Sequence, residues 1–281
     1  MKFAAAVGFN PRHPNNEDIV RFATSLSESV SAATLKVYLA AIRFHLSQGT
    51  SVEGLRSQRL VAVLKGIERK QFDTRRSEAG SQGGRQRLPV APSDLLTIKA
   101  QVGTSAHSAS DKAMMWAALL TAFYGLLRVG EYASTSTGEA RNLHTLTVAQ
   151  VQIAETEVVI NLGPTKTSQF GGGGTVLLHA SANKELCPVE AVKVYRSRRR
   201  WSNAEAPFFV HDNGKQLTQK DINLQLKRAL GPEVSSHSLR KGGATELAAR
   251  RAPEWQLQAA GRWRSSAYKR YIHTPAGFPS H

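Results

Sequence analysis

Apolar and polar positions alternate along this chain with a helical period over most of its length. Pro14-Asn15-Asn16-Glu17-Asp18 is a helix-start signal, followed by Ile19, Phe22, Ala23 and Leu26 on one face. The segment 31–48 has Leu35, Leu39, Ile42 and Leu46 at helical spacing and stops at Gly49. The segment 60–71 repeats the pattern, with Leu64 and Ile67 inward and Lys65, Arg69 and Lys70 outward. Residues 73–86, DTRRSEAGSQGGRQ, lose all apolar periodicity and read as a flexible linker between two domains.

Order resumes at Arg87-Leu88-Pro89-Val90, and Pro92-Ser93-Asp94 predicts the start of a helix over 95–102. Residues 112–127, KAMMWAALLTAFYGLL, are almost wholly apolar and predict a helix through the core, followed by Arg128 and Glu131. An arginine leaving a buried helix is costly unless it meets an anion, and Glu131 is placed to orient it; a structural Arg128–Glu131 ion pair is the simpler alternative.

The period then changes. Residues 158–162 predict a strand continuing through Pro164-Thr165-Lys166-Thr167, Gly171 to Gly174 a loose turn, and 175–178 a partner strand, with Lys166 near the hairpin tip. The glycine run lacks the GxxxxGK[ST] pattern and a following helix, so it is no nucleotide loop. Cys187-Pro188 opens another helix leading into the basic run Arg196 to Arg200, which suits a phosphate contact or a nuclear-import signal equally. Phe208-Phe209-Val210 predicts a short strand and 218–230 a helix. No internal repeat is visible.

Composition narrows the partner. Of 281 residues, 41% are hydrophobic, enough for a sizeable core, and 37 Lys+Arg against 21 Asp+Glu give a formal net charge of +16. Such an excess favours a polyanion. No apolar run is long enough to span a membrane, and the N-terminus has no signal-peptide core. One cysteine, Cys187, leaves no internal disulfide and no multi-cysteine metal site.

The chemistry concentrates between His237 and Tyr271. His237 and Arg240 are three apart and share a helix face; Gly242-Gly243 allows close backbone approach before a short Ala-rich helix from Ala244. Trp263 stands between Arg262 and Arg264, and Tyr268 and Tyr271 follow. Histidine, arginine, indole N–H and phenol are donors to phosphate or nucleophiles on it. Taken singly, each has a bland reading as a core or surface residue.

Together, Arg128 in GLLRVGE, Lys166 on a hairpin, His237-x-x-Arg240, Trp263 in GRW and Tyr271 in RYIH resemble the tyrosine recombinase (phage integrase) family in order. GRW followed by YIH, together with RLPVAP and ELCPVEAV, makes the chain look most like recombinases of eukaryotic mobile elements of the Crypton and DIRS type. The likeness spans nearly the whole chain. It implies a mainly α fold with a small β-hairpin or sheet, in two domains: a helical core-binding domain over 1–72, a linker over 73–86 and a mixed α+β catalytic domain over 87–281. Members usually start further upstream, which leaves room for another helix before Met1. The resemblance implies Arg128, Lys166, His237, Arg240 and Trp263 as catalytic residues and Tyr271 as nucleophile, with Tyr268 kept in play by a short Trp-to-Tyr spacing. Lys36, Arg43, Lys65, Arg69, Lys70, Arg262 and Arg264 are the expected DNA contacts. Double-stranded DNA is the expected partner, with self-assembly as a tetramer on paired sites, no metal or cofactor, and a nuclear location in a eukaryote or a cytoplasmic one otherwise. A type IB topoisomerase and a non-catalytic DNA-binding descendant of a mobile element are the rival readings.

Overall fold

The computed structural model describes residues 8, 10, 13–46, 57–78, 88–135, 145–163, 173–200, 203–263 and 265–272. The chain divides into two compact units, Met1–Gln86 and Arg87–His281.

In the first unit, α1 (Asn16–Leu26), α2 (Ala32–Leu46) and α3 (Gln58–Glu78) enclose a small core of Ile19, Val20, Ala23, Ala32, Leu35, Leu39, Leu60 and Ile67. Asn15 caps α1: its side chain accepts from Asp18 N at 2.9 Å while Asp18 accepts from Asn15 N at 3.0 Å. The α1–α2 turn is held by Gln71 of α3. Its amide donates to Ser27 O (2.7 Å) and Val30 O (2.9 Å), and its carbonyl accepts from Ala32 N (2.9 Å). Leu35 and Leu39 are buried as their spacing predicts, but Ile42, Leu46 and Leu64 are only half-buried. The expected linker start is corrected: α3 continues to Glu78, through residues whose loss of apolar periodicity suggested a coil. Arg75, Arg76 and Glu78 are good helix formers, so the loss of apolar periodicity does not end the helix.

The second unit is built around α5 (Ala109–Tyr124), whose Met114, Ala117, Ala118, Leu119, Leu120, Ala122 and Phe123 are all fully buried. Around it lie α4 (Pro92–Thr104), the short α6 (Val129–Tyr132), α7 (Pro188–Arg198), α8 (Gln219–Leu230), α9 (Ser236–Ala249) and α10 (Glu254–Gly261). An antiparallel sheet of β1 (Val151–Ile153), β2 (Glu157–Asn161) and β3 (Thr175–His179) runs in the order β1-β2-β3, with Val158 opposite Leu178 and Ile160 opposite Val176. β1, only three residues long, adds a strand to the predicted hairpin.

Two local expectations change. Phe208-Phe209-Val210 forms no sheet strand, only bridges at Pro207 and Val210. The Tyr195 hydroxyl donates to Phe208 O (2.9 Å) and accepts from Val210 N (3.0 Å), so side chains satisfy groups that a ladder would otherwise pair. Also, α9 is one continuous helix through Gly242-Gly243, not a helix beginning after them. A Cβ on Gly242 would lie 2.0 Å from Val90 O, and one on Gly243 2.1 Å from Phe123 O. The glycine pair lets α9 seat against the core helix, which fixes where His237 and Arg240 emerge.

Candidate active site

Three helix ends surround the site or border it, and each closes with an unusual residue. α5, α9 and α10 all finish with paired bonds of the Schellman type: Leu127 N to Ala122 O (3.1 Å), Ala252 N to Leu247 O (3.3 Å) and Trp263 N to Gln258 O (2.9 Å). The left-handed position in each is normally glycine. Here it is Leu126 (φ 47), Arg251 (φ 58) and Arg262 (φ 55), at a cost of roughly 1 kcal/mol apiece. Leu126 and Arg262 sit at the candidate site itself.

The left-handed turn at Leu126 presents its carbonyl to two arginines. Arg240 Nη1 and Arg262 Nη2 both donate to it, the latter at 3.2 Å. Arg128 follows as the residue capping α6. Its main-chain N–H donates to Glu131 Oε2 at 2.8 Å and its Nη1 to Oε1 at 3.0 Å. The Glu131 side chain is 5% exposed and that of Arg128 39%, so the carboxylate is an internal anchor and the guanidinium reaches outward.

On α9, His237 lies exposed in the first turn and Arg240, one turn later, is buried. Arg240 Nη2 donates to Gly261 O at 2.6 Å, and its Nε–H has no acceptor among the described residues. Its guanidinium carbon lies 4.7 Å from the Trp263 ring and 5.3 Å from that of Tyr271. Burial, then the charges of Arg128 and Arg262, push its pKa down to about 10, which leaves it cationic at neutral pH.

The GRW motif has a steric basis. A Cβ on Gly261 would stand 2.0 Å from the Trp263 ring, so only glycine lets the indole fold back over the helix end. Past Trp263, Ser265 caps a 3-10 turn, Ser266–Arg270, that delivers Tyr271. Tyr271 N donates to Tyr268 O at 2.8 Å, and Thr245 of α9 donates its hydroxyl to Tyr271 O at 3.3 Å. The Tyr271 ring stands 5.1 Å from that of His237 and 4.9 Å from that of Trp263.

The two tyrosines differ sharply. Tyr268 is 2% exposed and packs with Leu126, Ala244, Leu257 and Trp263. The nearby Glu254 carboxylate pushes its phenol up to about 12. Tyr271 is half-buried, its face toward Arg240. A phenol is nucleophilic only as it loses its proton, so the surroundings of Tyr268 suit packing.

Arg128, His237, Arg240, Trp263 and Tyr271 therefore gather in one place, whereas Lys166 and Arg264 lie outside the described residues. Among the expected DNA contacts, Arg43, Lys65, Arg69 and Lys70 are exposed on the first unit, and Lys36 is exposed but ion-paired with Glu68. Arg262 differs from expectation. Its side chain is 15% exposed and turned inward, donating to Gly125 O (3.2 Å), Ala260 O (3.3 Å) and Glu131 Oε2 (2.8 Å). The roles of Thr245, Glu254 and the Leu126 carbonyl were not legible in the sequence, because they depend on left-handed turns and on contacts between distant segments. Three guanidinium groups against one buried carboxylate leave a net positive cluster, suited to a phosphate. Among the described residues there is no cluster of potential ligands for a metal ion, and no helix long and apolar enough to cross a membrane.

No family model matches the sequence, and no curated protein matches it. Solved structures do. The chain is similar to the XerH site-specific recombinase in a post-cleavage complex with its difH substrate (17% identity, 92% of this chain and 68% of that one, TM-score 0.58). The Tn1549 transposon integrase bound to a circular-intermediate DNA matches over 92% of this chain and 81% of its own (13% identity, TM-score 0.58). A lambda integrase dimer on a core site matches over 95% and 83% (11% identity, TM-score 0.52). Mainly helical, with a small antiparallel sheet and an Arg–His–Arg–Trp–Tyr cluster at one set of helix ends, this chain has the fold of the tyrosine recombinases and integrases.

Proposed function

We propose that the protein cleaves and rejoins DNA at specific sites through a covalent 3′-phosphotyrosyl link. The observation that carries this reading is the placement of His237 and Arg240 against the half-buried ring of Tyr271, with the Arg128 charge acting on Arg240. Arg128 and Arg240 bind the non-bridging oxygens of the scissile phosphate, where charge grows in the transition state, and the unmatched Nε–H of Arg240 is a donor for one of them. His237 and the Trp263 indole N–H add hydrogen bonds. The Tyr271 oxygen attacks phosphorus, the bond to the 5′-oxygen breaks, and Lys166 protonates that leaving oxygen. One phosphodiester replaces another, so the step draws on no ATP or metal. A free 5′-hydroxyl from a second strand reverses the reaction and completes the exchange.

The DNA-bound recombinases that share this fold and the charge of +16 support duplex DNA as the partner. In this reading the first unit, as the core-binding domain, contacts the backbone through Lys36, Arg43, Lys65, Arg69 and Lys70, with Arg264 contributing from the catalytic domain. Four copies assemble on paired sites, and the motifs around GRW and RYIH ally the chain with Crypton- and DIRS-type elements, working in the nucleus of a eukaryotic host.

The test is a suicide duplex carrying the cognate site. The unaltered protein should accumulate a covalent protein–DNA adduct, Tyr271→Phe should bind the DNA and give none, and Tyr268→Phe should retain it. An adduct lost with Tyr268 and kept without the Tyr271 hydroxyl would move the nucleophile. No adduct from the unaltered protein would favour the non-catalytic DNA-binding reading.

A further inference from the structure

Arg262 holds a backbone conformation that arginine does not favour, and its side chain explains why the position is not glycine. Its stem crosses Gly174, just before β3, where a Cβ would lie 2.6 Å from Arg262 Cδ. From there the guanidinium reaches the end of α5, through Gly125 O and Leu126 O, and Glu131 of α6. The Glu131 oxygen it holds, Oε2, is the same atom that accepts the main-chain N–H of Arg128 (2.8 Å in each case). The other oxygen, Oε1, takes Arg128 Nη1 at 3.0 Å.

A buried carboxylate with a cation on only one side can turn about its last bond. With arginines on both oxygens its plane is fixed, and so is whatever it orients. We propose that Arg262 is a positioning residue: through Glu131 it sets the direction of the Arg128 guanidinium, and it does not itself contact DNA. The role of Arg128 on phosphate rests on the recombinase reading above; the Arg262–Glu131–Arg128 linkage does not.

Two substitutions test it. Arg262→Asn tolerates the left-handed backbone and is too short to reach Glu131. Gly174→Ala keeps every charge and presses on the Arg262 stem, so it speaks even if the first variant folds poorly. Three quantities are measured on the full chain: adduct formation on the suicide duplex, DNA affinity across a salt series, and hydrogen exchange of the Arg128 amide. Arg262→Asn should slow the first-order adduct step about 10–100-fold, as loss of an orienting partner does. Affinity and its salt slope should hold, and the Arg128 amide should exchange faster. Gly174→Ala should move the same two quantities in the same direction, by less. A salt slope lowered by about 1 with the first-order step unchanged would make Arg262 a phosphate contact and overturn the proposal. Unaltered Arg128 exchange in both variants would overturn it too. If the unaltered protein forms no adduct, the recombinase reading falls, and the exchange measurement alone still decides the linkage.

Discussion

Two arginine-rich regions of this molecule carry comparable charge and use it in opposite ways. In the run Arg196 to Arg200, Arg198 and Arg199 are turned to fastening. Arg199 is buried and donates to Phe208 O (2.7 Å), Pro207 O (3.0 Å) and the Tyr195 hydroxyl (3.2 Å). Arg198 donates to Ala109 O at 3.1 Å, and Arg200 lies 3.5 Å from Asp212. Around Tyr271, Arg240 and Arg262 also bind carbonyls, yet the Arg240 guanidinium lies against the Tyr271 ring and Arg128 remains part-exposed beside it. Charge density along a sequence is therefore not charge available to a ligand. The contiguous run, which looks more like a polyanion site on paper, has its central arginine tied to main-chain oxygens, while arginines more than a hundred residues apart form the open cluster.

The comparison is broken most severely at Arg240. Arg240→Lys keeps a cation but cannot span the Leu126 and Gly261 carbonyls while reaching a phosphate oxygen. Adduct formation should fall by about 10²–10³ in single-turnover assays, the scale of one lost transition-state donor, with DNA binding much less affected. At Arg199 the expectation reverses. Arg199→Met takes the side-chain donor from Pro207 O and one of two donors from Phe208 O and the Tyr195 hydroxyl, so stability should drop by roughly 1–3 kcal/mol in denaturant melts while adduct formed per folded molecule stays unchanged. Equal loss of adduct at Arg199 would erase the distinction between the two regions.

The smallest effect belongs to His211, which lies between Asp111 (3.4 Å) and Asp221 (3.5 Å), the acidic residues in the first turns of α5 and α8. The bond with Asp221 raises the His211 pKa against the opposing effect of burial, with Asp111 adding to the rise. The same bond is the main reason the Asp221 carboxyl is held down at about 2. A raised histidine stabilises fully below its ordinary value of about 6.5 and loses that contribution as pH climbs through the folded value. A lowered carboxylate stabilises above about 4 and loses its share as pH falls toward its folded value. Thermal melts of the unaltered protein and His211→Gln should therefore differ most between about pH 4 and 6 and converge at alkaline pH. A difference that grows with alkalinity would contradict the pairing.

Much of the architecture was legible from period alone. The core helix α5, the capped starts at Asn15 and Thr218, and the β2–β3 pair all follow from side chains whose neighbours lie within a few residues. The errors share a cause. The polar end of α3 resembles a linker and the glycines of α9 resemble a helix boundary, because local composition does not by itself state what the backbone does. Phe208-Phe209-Val210 looked like a strand because it is apolar and β-prone, but Tyr195 and Arg199, which are distant in space only until the chain folds, bind its main chain.

What the sequence determined by itself was the supply: helices of given length and face, a strongly basic chain, and the order Arg, His, Arg, Trp, Tyr. Those properties depend on residue identity and near-neighbour spacing. The tertiary structure decided the use. It separated Tyr271 from Tyr268 by burying one among Leu126, Ala244, Leu257 and Trp263 and leaving the other over Arg240, although the two are three residues apart. It turned Arg262 inward by placing a left-handed turn at the end of α10 within reach of Glu131 on α6. Burial and partner choice are set by segments far apart in the chain, and no local pattern encodes where those segments meet.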